Sequence, residues 1–150
     1  MMQRGAPLAS TMGVDTRLDG IIDSKRRVIL EAFVGEVRVH GLVAPNVAPA
    51  EIVRGPDALM SALVDSLRHG RHDGEDTSRV AGEHAEHRAR LGYDLRGVLT
   101  ELGLLRATIV EVASQSGGIS ADDGERVAEF LHDAMVEAAV RFVGYAPRPR

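Results

Sequence analysis

A chain of 150 residues with 44% hydrophobic and 27% charged side chains has the composition of one soluble globular domain able to bury a core. Its net charge of -4, with acids and bases interspersed, offers no basic face to a nucleic acid or an anionic membrane, and three Phe, two Tyr and no Trp leave few stacking platforms. The absence of Cys excludes disulfides, thiolate nucleophiles and Cys-based metal sites, and it fits the cytoplasm.

Residues 1–14 are small, polar and Pro/Gly-bearing, which predicts a flexible tail with neither a secretory leader nor a membrane span. The folded domain is expected over 15–146. Leu18, Ile21, Ile22, Val28, Ile29, Ala32, Phe33 and Val37 keep helical spacing, so one long first helix should run to about residue 40, capped by Asp15 or Thr16. Pro45 and Pro49 end it. After a short turn, Pro56 suits the first position of a second helix carrying Leu59, Met60, Leu63, Val64 and Leu67 and ending near Gly70. The stretch from His69 to Asp76 has no apolar anchor and reads as an exposed loop.

A third helix follows and ends at Gly92. Its inner face, made by Thr77, Val80, His84, His87 and Leu91 with Arg88 at the margin, holds little apolar bulk, so this helix is expected to pack through polar groups. Asp94 caps a fourth helix to about Ser116, where Gly117 and Gly118 supply a left-handed terminus. Leu95, Val98, Leu99, Leu102, Ile109 and Ala113 form its apolar stripe, with Arg106 in the middle and Glu101 at the edge, which predicts a guanidinium facing the core.

Ser120 opens a fifth helix. Val127, Phe130, Leu131, Ala134, Ala138 and Phe142 make its core stripe, while Val136, Ala139, Val140 and Val143 form a second stripe on the other side. Two apolar faces need two coverings, and a homodimer seam is expected over a second helix of the same chain. Residues 147–150, with Pro147 and Pro149, read as the start of a linker. The fold class expected is all-α, a four-helix-type bundle with an additional short helix.

The segment His84, Arg88, Gly92, Tyr93, Asp94, Leu95, Glu101, Leu105 and Arg106 resembles, without gaps, the pattern of the RsbRD (RsbT co-antagonist) amino-terminal domain family. Asp133, Ala134, Glu137, Ala138, Arg141 and Phe142 resemble that family's last helix, and the two blocks cover roughly a quarter of the chain. One departure is Leu102, where the family usually has an aromatic residue. The resemblance implies a helical input domain ahead of a signalling output, such as a histidine kinase of a two-component system or a stressosome partner-switching module.

Chemistry-bearing constellations are weak. Glu83, His84, Glu86 and His87 share a helical turn, but two intervening residues separate the imidazoles and Ala85 stands where a zincin has its Glu. His69 and His72 could join a zinc yet read as solvated. Glu129 with His132 is half of a di-iron pattern, and His132 with Asp133 lacks the surroundings of a phosphoacceptor. A haem ligand at His84 or His87 would want more aromatic and apolar bulk nearby. No cofactor or metal and no catalysis is therefore expected, with a metal- or haem-binding sensor or enzyme centred on His84 and His87 as the alternative. The favoured site is a polar cluster of His84, Arg88, Tyr93, Glu101 and Arg106 between the third and fourth helices, fixing their register or switching between two pairings. The expected partners are a second copy and a downstream signalling domain or partner protein.

Overall fold

A computed structural model describes residues 17–70 and 74–145, and all regular structure among them is helical. The expected tail, the Asp15 or Thr16 cap, His72 and the linker lie outside the described residues. Six helices follow one another: α1 (Leu18–Ser24), α2 (Arg26–Val39), α3 (Pro49–His69), α4 (Gly74–Arg90), α5 (Leu95–Ser116) and α6 (Ala121–Tyr145). No helix among the described residues is long and apolar enough to cross a membrane.

The long first helix of the sequence reading is two. It breaks at Lys25 (φ -106°, ψ 13°), where the Ile21 carbonyl accepts both from Lys25 N at 2.9 Å and from the Ser24 hydroxyl at 3.2 Å. The break turns Val28 and Ala32 outward while Ile21, Ile22, Ile29, Phe33 and Val37 stay buried. Arg26 then reaches Asp57 at 2.7 Å, and Arg68 reaches Asp19 at 3.0 Å and Asp23 at 2.6 Å, tying α1 and α2 to α3.

The second helix starts earlier than expected. Pro49, not Pro56, takes its first position, and Pro56 lies inside α3. Proline cannot donate to the carbonyl four residues back and its ring crowds that carbonyl, so the Ile52 carbonyl has no helical N–H from position 56 although α3 runs on unbroken. Three predicted ends hold: Gly70 closes α3 at φ 66°, the Asp94 carboxylate accepts from Gly97 N at 2.7 Å, and the Ser120 hydroxyl accepts from Asp123 N at 3.1 Å, whereas α3 includes His69 and α4 starts at Gly74, both within the stretch expected to be a loop.

Close packing runs in a ring, α3 on α4, α4 on α6, α6 on α5, α5 on α2 and α2 on α3, with α1 against α3 and α5. Ile22, Phe33, Ile52, Leu59, Leu63, Leu102, Ile109 and Leu131 fill the centre at 0–1% exposure, each contributing about 1.5–3 kcal/mol relative to an exposed position. The consecutive helices α4 and α5 are not among the closely packed pairs. They face each other across the bundle, which corrects the expectation that they pack as direct neighbours. Arg88 and His84 of α4 reach Glu101 of α5 across that distance.

Candidate functional site

The turn between α4 and α5 builds the site. Gly92, at φ 94°, lets its N–H reach the Ala89 carbonyl (3.1 Å) while Tyr93 N–H reaches the Arg88 carbonyl (3.0 Å), the Schellman closure of a helix. That closure brings the residue after the glycine back over the residue four before it. The Arg88 guanidinium accordingly lies 5.4 Å from the Tyr93 ring centroid. Asp94 then starts α5, and two turns later Glu101 arrives opposite Arg88. The spacing of Arg88, Gly92, Tyr93, Asp94 and Glu101 is thus one structural device.

Arg88 and Glu101 are both fully buried. Arg88 Nε donates to Glu101 Oε1 at 2.8 Å and the Tyr93 hydroxyl donates to Oε2 at 2.5 Å. The remaining guanidinium donors turn to α3: Nη2 to the Ile52 carbonyl at 2.5 Å, and Nη1 to the Glu51 carbonyl at 3.2 Å and to His87 Nδ1 at 2.9 Å. The Ile52 carbonyl is the one that Pro56 leaves without a helical donor. Four of the five guanidinium hydrogens are therefore engaged.

The two imidazoles differ. Because Arg88 donates to His87 Nδ1, the His87 proton sits on Nε2, which donates to Glu51 Oε1 at 2.7 Å. His84 Nε2 lies 2.9 Å from Glu101 Oε1 but out of line for a hydrogen bond, and neither of its ring nitrogens has a hydrogen-bond partner among the described residues. Its Nδ1 rests on the backbone of Gly55, where a Cβ would come within 2.1 Å. Burial pushes the His84 pKa down, aided by Arg88 and His87 and opposed by Glu101. Burial pushes the Glu101 carboxyl up, but His84, Arg88 and Tyr93 outweigh it and hold it below the ordinary range. Burial raises the Tyr93 hydroxyl, and Glu101 raises it further.

Sequence reading placed His84, Arg88, Tyr93 and Glu101 together, and the structure brings all four into contact. Arg106 is a correction: it is exposed and takes no part in the cluster. Five residues of helix separate it from Glu101, a rotation of about 140°, so the two cannot share a face, and Leu105, Thr108 and Ile109 hold the inward positions instead. The α3 half of the site, Glu51, Ile52, Gly55 and Pro56, was not anticipated. A Gly-Pro pair inside a run of helical periodicity was its one signal, since glycine permits close approach and proline frees a carbonyl.

A cleft of about 370 Å³ opens beside the cluster between α3 and α4, with Arg54, Gly55, His84, His87 and Arg90 in its lining. The donor set does not fit zinc or haem iron as it stands. Both His87 nitrogens are hydrogen-bonded, and the His84 ring, whose nitrogens are not, is closed in by Glu101 on one side and Gly55 on the other, which leaves no room for a metal at either ring. His132 and Glu129 are exposed on α6.

The far side of α4 is bound to α6. Ser78 donates to Glu137 at 2.8 Å, Arg141 donates to Glu86 at 2.5 Å, and Arg90 reaches the Tyr145 hydroxyl at 3.3 Å while lying over its ring. The Arg141 guanidinium lies against Gly82, where a Cβ would come within 2.7 Å of it. On α6 itself, Val136, Val140 and Val143 are exposed and Ala139 is half-buried, so no described helix covers the second stripe.

No family model, curated protein or solved structure matches the chain.

Proposed function

We propose that this chain is a non-catalytic sensory or scaffold input domain of a bacterial signalling protein, of the histidine kinase or stressosome type, working in the cytoplasm as a homodimer. A change in the packing of the buried cluster passes through α4 into α6 and from there to whatever follows Pro149. The observation that carries this reading is the double engagement of α4, with His84 and Arg88 in the buried cluster on one side and Ser78, Glu86 and Arg90 linked to α6 on the other. A buried ion pair adds little net stability over apolar packing, so a chain that keeps one is retaining a specific arrangement. The cluster has the makings of two states, because Glu101 is contacted from three residues and His84 could accept a proton beside it. The resemblance to the RsbRD amino-terminal family supports the same class, and the cleft beside His84 and His87 is where a signal would reach the cluster.

Hydrogen exchange followed residue by residue tests this reading. Glu101→Gln should raise exchange in the last three turns of α6 as well as around α3 and α4, with α2 as the internal comparison. Faster exchange confined to α3, α4 and α5 would mean that the cluster only sets local register.

A further inference from the structure

The cleft between α3 and α4 is lined by one arginine from each wall, Arg54 of α3 and Arg90 of α4, beside the small residues Gly55, Ala58 and Val80. The acids near it are already engaged. Glu83 meets Arg79 at 3.4 Å, Glu86 meets Arg141 at 2.5 Å, and Glu51, on the same turn of α3 as Arg54, meets His87 at 2.7 Å. The Arg54 side chain makes no ion pair or hydrogen bond among the described residues, although its charge is felt at Glu51, and Arg90 spends its donors on the neutral hydroxyl of Tyr145 while lying over that ring. Two guanidiniums thus share one cavity with no carboxylate bonded to either, an arrangement open to an anion from outside.

We propose that this cleft binds a small organic carboxylate, its head held between Arg54 and Arg90 and its short aliphatic body lying on Gly55, Ala58 and Val80. This rests on the reading of the cleft as the place where a signal arrives and adds the chemical class of that signal. The volume of about 370 Å³ lies at the small end of ligand cavities, which run from about 300 to 1,000 Å³, so the body is short. A planar guanidinium matches a planar carboxylate through parallel N–H donors, and one guanidinium from each wall lets a single head bridge the two helices. Phosphate fits less well, because its second negative charge would meet Glu83 and Glu86 in the same lining. The bridge falls where the buried cluster can feel it. Arg54 stands two residues beyond the Ile52 carbonyl that Arg88 Nη2 holds, and Arg90 stands two residues beyond Arg88 itself. Gly55, next to Arg54, closes over Nδ1 of His84, a buried ring whose nitrogens have no hydrogen-bond partner among the described residues. Drawing Arg54 toward Arg90 therefore bears directly on the seat of that ring.

Amide chemical shifts of the isotope-labelled 150-residue protein, followed through titrations with butyrate, butyramide and inorganic phosphate at constant ionic strength, test the assignment. Butyrate should give saturating shifts at residues 54–58 and 80–90, and butyramide, its uncharged counterpart, should bind at least about tenfold more weakly, as the loss of charged hydrogen bonds requires. Arg54→Gln and Arg90→Gln should each weaken butyrate by about tenfold, whereas Arg106→Gln, which removes an exposed charge on α5, should leave it unchanged. Spectral dispersion like that of the wild type shows that each variant is folded. Butyrate shifts that never saturate, or that survive both cleft substitutions, would overturn the site. Phosphate binding at the same residues as tightly as butyrate would overturn the organic acid. Saturating shifts that end at the cleft, with none at residues 136–145 of α6, would support the site and overturn the route to α6, so the two readings fail separately.

Discussion

Arg88 occupies the helical carbonyl that Pro56 exposes: its Nη2 donates at 2.5 Å to Ile52, four residues before a proline that has no N–H to offer. The two residues come from different helices and each answers a liability of the other. A proline inside a helix leaves a buried acceptor unsatisfied, and a buried guanidinium needs acceptors beyond its one carboxylate.

Substituting Pro56 therefore tests the pairing. In an ordinary helix interior, replacing proline by alanine recovers about 3 kcal/mol. Here the restored N–H at position 56 competes with Arg88 for the Ile52 carbonyl, so Pro56→Ala should gain less than about 1 kcal/mol in urea unfolding. In an Arg88→Met background the same change should gain distinctly more.

Glu101 and Arg106 separate buried from exposed charge. Glu101→Gln leaves the Arg88 guanidinium buried without its counter-charge and should cost about 3–5 kcal/mol. Arg106→Ala should stay within about 0.5 kcal/mol, as befits an exposed side chain. Equal effects in denaturant titration would refute the placement of both residues.

These contrasts mark how far the sequence could be read. Polar residues on an inward face betrayed the α4 and α5 members of the cluster, because a helix with His84 and Arg88 on its buried side must find them partners. The same wheel, applied carefully, excludes Arg106. Pro56 misled because a proline suits a helix start as well as an interior site rescued by a distant donor, and only tertiary structure distinguishes the two. The break at Lys25 was hidden because apolar spacing runs on across it and the backbone departs from helical geometry at that one residue.

Gly55 is the seat of His84. Gly55→Ala would drive a methyl into the ring at 2.1 Å from Nδ1, and overpacking of this kind costs about 1–3 kcal/mol. In a His84→Ala background the added methyl meets no ring, so its cost should fall close to zero. A cost that persisted unchanged there would show that His84 does not rest on Gly55.

Stability should depend on pH in two steps. His84 binds its proton less readily folded than unfolded, so its neutral form supports the fold fully above about pH 6.5, and support is lost as pH falls below that value and the unfolded chain protonates first. Glu101 is more acidic folded than unfolded, so its contribution holds above about pH 4.5 and disappears below it. Urea titrations at pH 7.5 and 5.5 should show a loss on acidification that His84→Gln reduces. An identical loss in wild type and variant would remove His84 from the account.

The most direct test is a double-mutant cycle between Glu101 in the cluster and Arg141 on α6, which engage opposite sides of α4. Independent sites give additive effects within about 0.5 kcal/mol. If α4 links the buried cluster to the outlet helix, Glu101→Gln and Arg141→Ala should depart from additivity by about 1 kcal/mol or more. Additivity within 0.5 kcal/mol would mean that the cluster and α6 do not communicate.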